Sequence, residues 1–187
     1  LDDAKITFNP WSISKSFIAC MITKGKQYIL YLTKIYNENV SLLIDLKSKD
    51  NTIPKIIAVT LSIDESLFSD TVFVGEMLNN RGNWIFLIES CKVYQGMCTY
   101  QKSNLHNVQI CYDFIDKYFH YNDISPFKII LKEFTGLSGI QDMLSNTKIN
   151  PIRTYMFTPL MIWTGTILRL KNIYDECWTS NPHLIQL

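Results

Sequence analysis

The chain has 187 residues, 47% hydrophobic, 13% aromatic and 19% charged, which is enough apolar material for one good core and too little length to promise two. Eighteen Lys and Arg against seventeen Asp and Glu leave a net charge of +1, which excludes attraction of nucleic acid by the domain as a whole and confines any such contact to a local groove. With only seven glycines and six prolines, the composition also excludes a low-complexity or disordered tract.

In chain order, residues 16–23, 27–34 and 40–46 are β-branched and aromatic runs separated by Lys24-Gly25-Lys26 and by Tyr36-Asn37-Glu38-Asn39, a pattern that predicts a three-stranded meander. Residues 55–61 predict a fourth strand. Residues 70–96 predict a hairpin: Val72, Phe73 and Val74 lead to Gly75 and Glu76, so a carboxylate sits where the strand's flanks read as core. Gly75 leaves room there for a ligand or another backbone. Residues 79–83 supply the turn, and 84–88 return as an aromatic and aliphatic strand. From 104 to 119, Leu105, Val108, Cys111, Tyr112, Ile115 and Phe119 recur at helical spacing, and Ser125-Pro126 marks the break after them. Residues 127–134 read as a strand on which Lys128 and Lys132 share one face with Ile130. A short helix over 136–144, begun near Ser138 or Gly139, and strands over 154–158 and 164–170 complete the series. The predicted fold class is α+β, antiparallel twisted sheets with inserted helices, in a single domain over 1–187 ending in a tail at 173–187. The start at Leu1 fits a domain cut from a longer chain.

Five cysteines (Cys20, Cys91, Cys98, Cys111, Cys177) form no Cys-x-x-Cys pair, and His106, His120 and His183 lie far apart in sequence, so neither a zinc site nor a disulfide framework is expected. No apolar run approaches the ~20 residues of a membrane span, and the first residues lack the pattern of a secretory signal. The expectation is an intracellular protein without a membrane partner. Asn39-Val40-Ser41 matches a glycosylation sequon, a triplet that chance often supplies. No Ser/His/Asp or Cys/His grouping and no phosphate-cradling glycine loop appears.

Four stretches in this order resemble the nucleotidyltransferase domain of mRNA capping guanylyltransferases and ATP-dependent ligases, a likeness running from about residue 16 to residue 172. TVFVGEML is similar to the family strand ending in Asp-Gly-Glu, with Gly75 and Glu76 in place and Val74 where the family has aspartate. WIFLIESCKVYQG resembles the family's next strand. SPFKIILKEF, with Lys128 and Lys132, resembles the Pro-Phe-Lys strand after the inserted helix. MFTPL with ILRLKN resembles the closing pair of motifs, where Arg169 and Lys171 take the basic positions near the nucleotide phosphates. The resemblance implies a nucleotide-binding site made by Gly75, Glu76, Lys128, Lys132, Arg169 and Lys171.

It also implies a departure. In the family a lysine of a Lys-x-Asp-Gly-x-Arg motif attacks the nucleotide α-phosphate. Aligning that motif sets Gly25 on its glycine, Gln27 on its arginine, Lys24 on its aspartate and Ile22 on the attacking lysine. Arg153 and Thr154 likewise replace the acidic residue and glycine that precede the Phe-x-Pro motif, which removes a carboxylate that would help hold a metal. The resulting reading is a domain in an mRNA capping or RNA-processing setting that binds guanine nucleotide or RNA cap without covalent catalysis, with no catalytic residue, no metal and no certain cofactor. The snurportin cap-binding domain, similar over SPFKIILKEF and MFTPL, is a precedent of that type. One alternative is an active, Mg2+-dependent guanylyltransferase using Lys24 or Lys26. Another is a structural domain whose aromatics bury against partner proteins. Trp11, Trp84, Trp163 and Trp178 are candidates for stacking on a base, although Trp84 opens a core-like strand, where packing is the commoner fate.

Overall fold

A computed structural model describes residues 17–23, 25–46, 53–80, 82–136, 139, 142, 152–159 and 168–171, with side chains for all of these except 17–19, 21, 22, 152–159 and 168–171. The fold is mixed α+β, mostly antiparallel twisted sheet with helix inserted between strands. The chain divides into two compact units, Leu1–Lys24 with Glu133–Leu187, and Gly25–Lys132.

The first unit is a four-stranded antiparallel sheet of β1 (Phe17–Thr23), β9 (Phe134–Thr135), β10 (Ile152–Pro159) and β11 (Leu168–Lys171), in the order β11-β10-β1-β9. Cys20 opposes Met156 on one side and Phe134 on the other, and is buried. The predicted meander of 16–23, 27–34 and 40–46 is therefore corrected: among the described residues β1 pairs only within this sheet, and the strand after Gly25 belongs to another. The run 127–134 is likewise divided, with Phe134 in this sheet and Lys128–Leu131 in the second. Most of the expected helix over 136–144, and residues 164–167 of the last predicted strand, lie outside the described residues.

The second unit contains β2 (Lys26–Ile35), β3 (Glu38–Asp45), β4 (Ile56–Val59), β5 (Thr71–Asn80), β6 (Asn83–Tyr94), β7 (Met97–Cys98), α1 (Asn104–Asp113) and β8 (Lys128–Leu131). They lie in the order β4-β3-β2-β5-β6-β7, and β8 also pairs with β6. The true meander is thus β2, β3, β4, joined at β2–β3 by Tyr36-Asn37, both with positive φ, as a two-residue hairpin turn requires. Between β5 and β6, Gly82 takes φ 91 and donates its N–H to Asn79 Oδ1 at 2.8 Å, and Asn80 pairs with Asn83 across the expected turn. β8 runs parallel to β6, an exception to the antiparallel expectation, because the helix carries the chain back between them.

Strand alternation gives this sheet two faces. One buries Leu30, Leu32, Phe73, Phe86, Ile88 and Cys91 against α1 and the π-helical turn Phe114–Tyr118 that extends it, with the Phe73 and Phe114 rings 4.4 Å apart. At ten residues α1 is shorter than the ~12–15 an isolated helix needs, so this contact, at roughly 1.5–3 kcal/mol per buried large side chain, is what holds it. Ser103 caps its start by accepting the His106 N–H. The predicted stripe holds at Cys111, Ile115 and Phe119, which join the core, and fails at Leu105 and Tyr112, which are exposed, while Phe114 and Asn107 face the sheet as well. Asn107 is there for a polar reason. Its side chain accepts the Cys91 N–H at 2.7 Å and donates to the Cys91 carbonyl at 2.7 Å.

Burial pushes the Cys91 thiol up to about 12 from its ordinary 9.0, and raises Cys111 as well. Desolvation, then the Tyr118 phenol, pushes Tyr94 up to about 12 from 10.0. In each case the folded chain keeps a proton that the unfolded chain has lost, so stability falls as pH rises between the two values. Urea unfolding should show stability declining from pH 9.0 upward. Cys91→Ala with Cys111→Ala should delay that decline to about pH 10.0, where Tyr94 takes over. An unchanged onset in the double variant would mean that other groups govern it.

Candidate functional site

Glu76 lies inside β5, opposite Gln27 of β2 and Leu87 of β6, on the sheet face away from α1. Leu78, Ile85 and Leu87 share that face and are buried with it. Gly25, just ahead of β2, passes close to the Cβ of Glu76. A Cβ built on Gly25 would stand 2.8 Å from Glu76 Cβ and 2.8 Å from Leu78 Cδ2, so only glycine fits the approach.

Lys132 reaches the same place from β8. Its N–H continues the parallel ladder by donating to the Ile88 carbonyl at 2.8 Å, and alternation through Ile130, which opposes Leu87, turns the side chain toward Glu76. The ammonium donates to Glu76 Oε1 at 3.0 Å and to Glu89 Oε2 at 2.7 Å. The Lys132 and Glu76 side chains are only 1% and 2% exposed, and Glu89 is 25% exposed.

Glu89 joins them because it is the extra residue of a β-bulge. Gly75 opposes Ile88 and Val74 opposes Ser90, which leaves Glu89 without an opposing residue and re-aims its side chain. The bulge also lets Ile88 and Cys91, three positions apart, face the same core. Sequence reasoning missed Glu89; the available signal was the odd spacing of apolar residues in Ile88-Glu89-Ser90-Cys91.

Burial by itself pulls the Lys132 pKa down, but Glu89 and then Glu76 more than offset it, and the net displacement is upward from 10.5. The amine is held as an ammonium. Glu89 is the member of the trio that solvent reaches. A phosphate would have to draw Lys132 away from two carboxylates to use its charge.

The other expected site residues take different places. Gly75 does provide close approach, but to protein: a Cβ there would strike the Leu87 carbonyl and lie 2.9 Å from Phe86 Cζ. Lys128 shares a strand face with Lys132 but not its burial; it is exposed, with Nζ 5.4 Å from the Tyr121 ring centroid. The expected common basic edge is therefore reduced to Lys128, because Lys132 turns inward. Lys26 is bonded to the Asp45 carboxylate, which raises its pKa, and stands 5.5 Å from the Tyr28 ring centroid. The backbones of Arg169 and Lys171 lie in β11 of the first unit, opposite Met156 and Thr154; their side chains are outside the described residues. So is Lys24, together with Trp11, Trp163 and Trp178. Trp84, for which packing was the expectation, is 51% exposed. Among the described residues no group of three or more His, Cys, Asp and Glu could hold a metal ion, and no helix is long and apolar enough to cross a membrane.

Comparison with protein-family models and with curated proteins gave no match.

Removing one member of a buried ion cluster strands the others, whereas replacing the pair by apolar groups does not. Lys132→Met should therefore lower stability by about 3–5 kcal/mol in urea unfolding, and Glu76→Leu added to it should restore most of the loss. A Lys132→Met effect below about 1 kcal/mol, the size typical of exposed pairs, would contradict the buried geometry.

Proposed function

We propose that the chain is a capping-guanylyltransferase-like domain that binds guanine nucleotide or the RNA cap without forming a covalent intermediate, in an mRNA capping or RNA-processing setting. The observation that carries this reading is the meeting of three separated motif positions at one carboxylate: Gly25 packed on Glu76, Glu76 within β5, and Lys132 bonded to it from β8. A chain that had kept only the composition of such a domain would have no reason to keep that juxtaposition.

The described amines are poorly suited to a covalent step. A lysine nucleophile must lose its proton, and enzymes arrange this by lowering its pKa. Lys26 is raised by its bond to Asp45, and Lys132 is raised by Glu89 and Glu76. Ile22 stands at the reacting position of the resembled motif. In this reading Lys128 supplies charge for phosphates, while Lys132 and Glu76 form the floor of the site. Trp84, half exposed at the start of β6, alternates with Ile85 and Leu87 and so lies on the other face of the sheet, away from Glu76 and Lys132.

Incubation with α-labelled GTP and Mg2+ should give no acid-labile protein adduct. An adduct lost in Lys24→Ala or Lys26→Ala would replace this reading with that of an active guanylyltransferase. Titration calorimetry should detect binding of cap analogue or of GTP, and weaker binding in Lys128→Ala. No response to either ligand would favour a structural role, for which the exposed Tyr36, Ile53 and Tyr100 are suited.

A further inference from the structure

Among the described residues β8 pairs with β6 alone, so its other side is an open edge of the sheet. The Lys132 N–H bonds the Ile88 carbonyl, which fixes the backbone groups that this edge presents. Alternation turns the N–H and carbonyl of Ile130 toward β6 as well, and turns those of Ile129 and Leu131 outward. Natural sheets usually close such an edge with charge, a bulge or a covering element. Here the charges stand at the ends. Lys128 lies over the Tyr121 ring and Lys132 turns inward, which leaves Ile129-Ile130-Leu131 without a charge between them.

The edge borders a groove of about 430 Å³, lined by these three residues and by Tyr112, Ile115 and Asp116 of α1 and its π-helical turn. Ile129 is buried and Ile115 and Leu131 are half-buried, whereas Ile130 and Tyr112, which helical spacing would have buried, are exposed. Asp116 adds an exposed carboxylate, since Lys117 beside it is bonded to Asp113 instead. Outward backbone donors and acceptors, an apolar channel beside them and a carboxylate along it are complementary to an extended peptide that adds a strand and carries a positive charge.

We propose that the open edge of β8 receives an extended segment of a partner protein, which exchanges backbone hydrogen bonds with Ile129 and Leu131, lays alternate apolar side chains beside Tyr112 and Ile115, and sets a Lys or Arg against Asp116. The Ile129 and Leu131 side chains lie on the α1 face of the sheet, opposite Glu76, so the surface serves this purpose whatever binds on the other face.

Random peptides of about ten residues, displayed on phage and selected on the full chain, test this. The enriched sequences should alternate apolar residues around a Lys or Arg and lack proline at their centre. A synthetic peptide of the most enriched sequence should, in amide hydrogen exchange followed by NMR, protect Ile129 and Leu131 and leave Ile130, already turned to β6, unchanged. Asp116→Lys, at an exposed position, should weaken that peptide on the order of tenfold, and exchanging the peptide's basic residue for Glu should restore the binding. No enrichment, protection confined to other parts of the chain, or unchanged affinity in Asp116→Lys would overturn the proposal. So would protection of Ile129 and Leu131 that rises with protein concentration alone, which would assign the edge to a second copy of the chain.

Discussion

A lysine ammonium that is 1% exposed must be met by negative charge, and around Lys132 the second unit is arranged so that it is. Transfer of an isolated ammonium from water to a protein interior costs tens of kcal/mol in the idealised limit, so the group would give up its proton unless carboxylates stood within hydrogen-bond distance. Two do, at 3.0 and 2.7 Å. Their contribution exceeds the desolvation cost, since the Lys132 pKa lies above rather than below its ordinary value. Several local features that look unrelated serve this one requirement. The bulge at Glu89 delivers the second carboxylate, the parallel pairing of β8 with β6 brings Lys132 to the right rung, and the bare Gly25 lets the chain pass over Glu76 without displacing it.

Placing such a cluster inside a sheet requires the opposite face to be anchored independently, and the Asn107 contact supplies part of that anchor. The bulge at Glu89 would leave the adjoining stretch of β6 poorly registered if β5 alone held it. Asn107 instead grips both the N–H and the carbonyl of Cys91 from the helix side, and the Thr99 hydroxyl adds a second donor to that carbonyl at 2.5 Å. A helix residue thus acts as a strand partner would. One face of β6 carries ionic chemistry and the other carries amide chemistry, two residues apart along the chain.

Strand positions in the second unit were legible because β-branched and aromatic runs bounded by turn residues leave few alternatives: β2, β3 and β5 begin and end within a few residues of expectation, and β6 begins where expected but runs on past Ile88 to Tyr94. Partnership was less legible. The residue types over 16–23 suit a strand that continues a meander and one that joins another sheet equally well, and β1 pairs with β9 and β10 instead of β2. The helix face was misread for a definite reason: an apolar-stripe argument assigns Asn107 to solvent, whereas its amide faces the sheet to satisfy a backbone. Glu76 was found because a carboxylate amid Val, Phe, Gly, Met and Leu is conspicuous. Lys132 entered the same candidate set through the resemblance, whereas Glu89 was missed because it reaches the site only through a bulge.

The same geometry bears on what kind of ligand this surface can serve. The buried Glu76 carboxylate and Lys132 ammonium face each other, and Glu89 is the member of the cluster that solvent reaches. Whatever approaches that cluster from water therefore meets a hydrogen-bond acceptor before it meets a cation. That favours hydroxyl and N–H groups, such as those of a ribose or a guanine edge, over phosphate oxygens. If triphosphate charge is neutralised by this chain, the task falls to cations outside the cluster, and Lys128, exposed on β8, is the described candidate. Recognition of the nucleoside and of its phosphates would then be divided between different residues, with Lys132 retained for the architecture that holds Glu76 in place.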